Sequence, residues 1–152
     1  MTRENIIKLY RAIEESENTG NAKFKYGLLK NKKIVNIEIE KLKTEELEMT
    51  EIIKDYSEKR NDIIKKYGVT DKDGNISIDK ESENFNTVIK ELEELNIEYK
   101  ESLDFYAEKQ VEYAKKLNEP FEFNEEMFEI SINNIPDEFK YQSLLIDFNI
   151  LK

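Results

Sequence analysis

Three groups of side chains in this chain have the types and spacing to bear on chemistry. They are an acidic and amide-rich turn, a run of lysines around two aromatic residues, and a set of tyrosines at heptad spacing. In the turn, Asp71-Lys72-Asp73-Gly74-Asn75 places oxygen donors at alternate positions, as the opening of an EF-hand calcium loop does. The frame then fails. The sixth position, which needs glycine, is Ile76, and the twelfth, which needs a bidentate glutamate, is Ser82. An Asp-Gly centre flanked by β-branched residues is instead a hairpin signal, so residues 69–78 are expected to form a small β-hairpin and no metal site is expected.

Lys23, Lys25, Lys30, Lys32 and Lys33 interleave with Phe24, Tyr26 and Gly27 at the start of a long helical pattern. Two readings stay open. Lysines beside the free N–H groups of a helix start can hold a phosphate or a nucleotide, and they can equally be a solvated basic face that balances the acidic second half. No GxxxxGK[ST] cradle accompanies them. The candidate set for a ligand or a protein partner is Lys23, Lys25, Tyr26, Lys30, Asn31 and Lys33. Tyr99, Tyr106 and Tyr113 have the geometry of stacking platforms, but beside Leu92 and Leu103 they read as seam residues with their hydroxyls in water.

Catalytic chemistry has little to stand on. The chain has no cysteine and no histidine, which removes the thiolate nucleophile, the Cys-ligated zinc site, the commonest general base and the Glu-x-x-His pairs of di-iron bundles. Glutamate pairs such as Glu93-Glu94 and Glu125-Glu126 carry no signal in so acidic a chain, and no Gly-x-Ser-x-Gly elbow is present. The expectation is a protein that is not an enzyme and needs no cofactor.

The elements that must position these groups follow from periodicity. Leu28, Val35, Leu42, Met49, Tyr56 and Ile63 form one heptad train; Phe85, Leu92, Tyr99, Tyr106 and Tyr113 form a second beyond the Asp-Gly turn. The predicted architecture is mainly α: a long antiparallel, coiled-coil-like helical hairpin in one elongated domain. A short helix spans 2–16 with Thr2 as N-cap, a long helix 23–67, the hairpin 69–78, a second helix 82–118 started by Asp79 or Ser82, and a β/α segment 121–152. Glu46 and Arg60 interrupt the first stripe, and Lys43-Thr44 is where it would divide. In the last segment, Phe121-Glu122-Phe123 and residues 128–132 alternate as strands do, residues 136–146 suit a short helix, and the apolar end Leu144 to Leu151 is expected to dock at the base of the hairpin or on another subunit.

Charge narrows the partners. The 152 residues carry a net charge of −10. Residues 1–67 hold 15 basic and 13 acidic side chains, a net of +2, against 9 and 21, a net of −12, in residues 68–152. An acidic chain is a poor nucleic-acid binder but suits a basic protein partner, a homo-oligomer included. Met1 to Tyr10 lacks the h-region of a signal peptide and no run of about 18 apolar residues exists, so no membrane association and a cytoplasmic location are expected.

The order of Ile7-Lys8-Leu9-Tyr10-Arg11-Ala12, Lys23-Phe24-Lys25-Tyr26-Gly27-Leu28-Leu29-Lys30-Asn31, Lys66-Tyr67-Gly68 with its Asp-Gly turn, and Phe121-Glu122-Phe123 to Ile135-Pro136 resembles a group of phage and prophage proteins. These are small proteins of unknown function in low-GC Gram-positive bacteria. The resemblance implies a viral origin and carries no catalytic residues over. With the absence of catalytic groups, it makes the leading expectation a phage accessory protein that binds a host component, such as an anti-phage defence protein, and inhibits or redirects it stoichiometrically. An oligomeric sponge for a nucleotide signal is the second reading. A phage assembly chaperone or structural protein is the third.

Overall fold

The computed structural model describes all residues 1–152 and is mainly helical, with six α-helices and one two-stranded antiparallel sheet. The helices are α1 (Arg3–Ser16), α2 (Ala22–Ile52), α3 (Lys54–Tyr67), α4 (Phe85–Glu98), α5 (Lys100–Asn118) and α6 (Gln142–Asp147). The chain forms two compact units: residues 1–45 with 112–152, and residues 46–111.

In the first unit, α1 begins with a reciprocal cap: the Asn5 amide donates to the Thr2 hydroxyl at 3.3 Å and the Thr2 amide to the Asn5 side-chain oxygen at 3.0 Å. Ile6, Leu9 and Ile13 then face inward at helical spacing and meet Phe24, Leu28, Val35 and Ile39 of α2 in one core. Gly20, at φ +80°, turns the chain between the helices, and Asn21 caps α2 by accepting from the Phe24 amide at 2.9 Å. The apolar end completes this core, as expected of a docking tail: Leu145, Phe148 and Ile150 are buried in it.

α6 stops in a Schellman motif. Asn149 sits at φ 53°, its amide donates to the Ile146 carbonyl at 2.9 Å, and the Ile150 amide donates to the Leu145 carbonyl at 2.8 Å. The turn sends residues 150–152 alongside Ile130: the Ile130 amide donates to Ile150 at 2.6 Å and the Lys152 amide to Ile130 at 3.0 Å. This parallel bridge and an antiparallel one joining Thr2 to Pro120 are the only strand-like pairings of the C-terminal segment. The strands expected at 121–123 and 128–132 therefore do not form a sheet, because each lacks a neighbouring strand of its own. The helix expected over 136–146 is shorter and later, preceded by a 3₁₀ turn at Ile132–Asn134.

A glycine lets this segment lie close. A Cβ at Gly27 would stand 2.5 Å from Ile130 Cγ1, a buried atom of the core. Helix propensity alone makes Gly→Ala favourable by about 1 kcal/mol, yet overpacking costs about 1–3 kcal/mol. Gly27→Ala is thus expected to destabilise the wild type and to stabilise an Ile130→Ala background. Urea titration of the four members of that cycle checks it, and equal effects in both backgrounds would refute the contact.

In the second unit, α3 and α4 are tied by side-chain bonds that join the start of α3 to the end of α4 and the end of α3 to the middle of α4, the sense of an antiparallel pair. Tyr56 donates to Asn96 at 2.7 Å, Lys59 to Glu98 at 3.0 Å, and Tyr67 to Glu91 at 2.6 Å. Val88 and Leu95, seven residues apart, are the buried residues of α4. Of the tyrosines expected to line a seam, Tyr99 lies half-buried against α3: its ring centre is 5.9 Å from that of Tyr56 and its hydroxyl donates to Asp55 at 3.2 Å.

Neither long helix is continuous. The stretch 23–67 divides at Ile53 (φ −112°, ψ 13°), not at Lys43-Thr44, and the stretch 82–118 divides at Tyr99 (φ −100°, ψ 16°). Just before the first break, the Thr50 hydroxyl bonds back to the Glu46 and Leu47 carbonyls. Asp79 and Ser82 do not cap α4. Their side chains accept from the amides of Glu81 and Asn84, holding a run of turns that delays the helix to Phe85.

The Asp-Gly hairpin pairs Val69 with Ser77 and Thr70 with Ile76, with Gly74 at φ +83°. Asp71 spends its carboxylate on the turn, accepting from the amides of Asp73 and Asn75 at 2.9 Å each. These bonds, the Asn75 amide's first, hold its carboxyl below the usual aspartate range.

Candidate binding surface

The candidate site lies in the first unit, between the outer face of α2 and the segment that runs back along it. That segment descends α2. Phe121 and Phe123 lie beside Ile34, Ile37 and Lys41 around a small 110 Å³ cavity, Phe128 sits at Asn31, and Ile130 at Gly27. Phe121 is held further by the Arg3 guanidinium, 4.6 Å from its ring centre.

Asn31 lies beneath this surface. It is fully buried, and its side chain donates to the Gly27 carbonyl at 3.1 Å and to the Phe128 carbonyl at 2.9 Å while accepting from the Phe128 amide at 2.7 Å. One amide side chain thus takes the place of a neighbouring strand. Its position seven residues after Phe24 and four before Val35, inside an apolar stripe, is the signal that marks it as a structural clamp. Asn31→Val is expected to cost about 1–3 kcal/mol by leaving two main-chain groups unpaired. Hydrogen exchange at the Phe128 amide should accelerate in that variant while exchange in α1 stays slow.

Tyr26 and Lys30 are brought together with Phe128, a residue the sequence reading did not select. The Tyr26 and Phe128 rings meet edge to face at 5.5 Å, and the Lys30 ammonium lies 5.3 Å from the Tyr26 ring centre. Both rings are open to solvent, Tyr26 by 52% and Phe128 by 40%. The alternation of Phe128 with Ile130, opposite a mid-helix glycine, is the pattern from which Phe128 could have been found.

Two open grooves flank the ring pair. The larger, about 640 Å³, runs between Lys30, Lys33 and Ile34 of α2 and residues 125–129. The other, about 430 Å³, runs between Ala22, Lys23 and Tyr26 and residues 128–131, closed by Asn134. Lys23, Lys30 and Lys33 thus share one face, and none of them forms an ion pair. Lys25 lines neither groove. Lys32 is engaged elsewhere, bonded to Glu17 at 2.8 Å and near Glu14, and the hydrogen bond to Glu17 leads the influences that raise its pKa.

The electrostatics are mixed. Glu125, Glu126 and Glu129 line the larger groove opposite the two lysines, which weakens its attraction for a polyphosphate. An exposed aromatic pair framed by both signs of charge suits a protein surface better. No helix is long and apolar enough to cross a membrane. Comparison with protein-family models, with curated proteins and with solved structures finds no match to this chain.

Proposed function

We propose that this chain acts stoichiometrically, as a phage accessory protein that grips a host protein through the Tyr26–Phe128 surface and so inhibits or redirects it. The observation that carries the reading is the solvent-open ring pair, cradled by unpaired Lys23, Lys30 and Lys33 on α2 and fixed from below by Asn31. Aromatic residues that are rigidly held and exposed are the kind of anchor on which interfaces concentrate their energy. The two-unit helical body, a coiled-coil-like hairpin in this reading, presents that surface and has no catalytic part.

The test is retention of host protein from a lysate of a low-GC Gram-positive bacterium at physiological salt, with the complex sized by light scattering. A single partner at fixed ratio, lost with Tyr26→Ala or Phe128→Ala, is expected. Retention of nothing, or retention indifferent to both substitutions, removes the proposal. A thermal shift of several degrees with cyclic or linear nucleotides would transfer the surface to the signal-sponge reading, and co-purification with phage particles to the assembly reading.

A further inference from the structure

The main chain of the segment beside the ring pair is bonded on one side only. At Phe128 both the amide and the carbonyl go to the Asn31 side chain. Two residues on, both groups of Ile130 go to residues 150 and 152, and the Ile132 amide goes to the Lys152 carbonyl at 2.9 Å. Groups that turn to the same side at every second residue are the mark of extended chain. The intervening Met127, Glu129 and Ser131 therefore turn their main-chain groups the other way. No bond engages the amide or carbonyl of Met127 or Glu129, and only the Ser131 carbonyl is used, by the Asn134 amide. This is an open strand edge, bordered by the two grooves.

Resting on the function proposed above, we infer that this edge is where the partner docks, by adding an extended segment of its own as a strand. The occupant is a peptide strand whose groove-facing residues, every second one, are acidic and aromatic. Charge complementarity selects it. Lys30 and Lys33 line the larger groove and Lys23 the smaller, none with a carboxylate partner, and the aromatic residue seats against Tyr26 and Phe128 between them. Glu129 is already committed to Lys152 at 2.7 Å, so it does not oppose an acidic guest. Glu125 and Glu126 close one end of the larger groove and favour a neutral or basic residue there.

The experiment pans a displayed library of random peptides against the full chain at physiological salt, then measures the enriched peptide by fluorescence anisotropy. Enriched sequences should alternate acidic and aromatic residues. Glu129→Pro deletes a main-chain donor that bonds nothing within the fold, so it should keep the circular dichroism spectrum and weaken the peptide about tenfold or more. Glu129→Ala should bind within about twofold of wild type, because it removes only the exposed ion pair with Lys152; Lys30→Glu should bind weakly. No enrichment, enrichment of basic sequences, or unchanged binding by Glu129→Pro would overturn the inference. If Glu129→Pro still retains a lysate partner that Tyr26→Ala loses, the edge is unused and the wider surface stands.

Discussion

Glu38→Ala is expected to lower the stability of the fold by about 3 kcal/mol, since it leaves a shielded guanidinium without its counter-charge. Arg3 Nε donates to Glu38 Oε1 at 2.6 Å, and the two side chains are only 17% and 6% exposed. The same guanidinium lies over the Phe121 ring and reaches the Lys116 carbonyl at 3.4 Å, so one side chain ties α1 to α2, to the last turn of α5 and to the returning segment. Burial pushes the Glu38 carboxyl up, but the bonds and charges of Arg3, then of Lys41, outweigh it and hold the group below the reference value of 4.5. A lowered pKa means that the pair's stabilisation is complete above about pH 4.5 and fades as the pH falls through the folded-state value. Urea titrations from pH 7 to pH 3 should show the gap between wild type and Glu38→Gln narrowing below that point. A gap that stayed constant would show that the carboxylate charge is not what holds Arg3.

A larger loss is expected at Phe24. It is wholly buried, meets Phe139 edge to face at 5.1 Å, and packs beneath the Gly20 turn. Truncating such a residue removes its transfer free energy and leaves a cavity, together about 3–5 kcal/mol. For Phe24→Ala the urea midpoint should fall while the slope stays the same, because the area exposed on unfolding hardly changes. Phe24→Leu should recover about half or more of the loss. A cost below about 1 kcal/mol would mean that the α1, α2 and α6 faces do not share one core.

What was legible in the sequence was legible for local reasons. Thr2 and Asn5 announce a cap, Asp73-Gly74 a turn, and Ile6, Leu9 and Ile13 a buried stripe, each within about two turns of helix or less. The heptad train was also real, but its residues differ in depth: Leu28, Val35 and Leu42 are buried, whereas Met49, Tyr56 and Ile63 are half-covered. A regular pattern of residue types cannot say how much material packs against it. The breaks at Ile53 and Tyr99 were invisible because neither involves proline or glycine; each is a single residue whose backbone angles many sequences adopt. The C-terminal alternation was visible, but what its main chain would bond to was not. Phe128 and Ile130 do present one face to α2, yet their main-chain partners are a side chain 97 residues away and the final three residues. Of the candidate residues, Lys23, Tyr26, Lys30 and Lys33 were brought to one surface, while Asn31 proved to be its foundation.

The first unit is interrupted in sequence by the whole of the second, so its two parts are made at different times. The apolar stripe of α1 and α2 emerges early, but Ile130, Phe139, Leu145 and Phe148, which cover it, are polymerised only after residues 46–111. At about 5–20 residues per second, that leaves the stripe uncovered for roughly 5–20 seconds of each synthesis. During that interval the apolar face that α1 and α2 share has none of its C-terminal cover. Apolar surface left open in this way is what makes a partly made chain prone to aggregate.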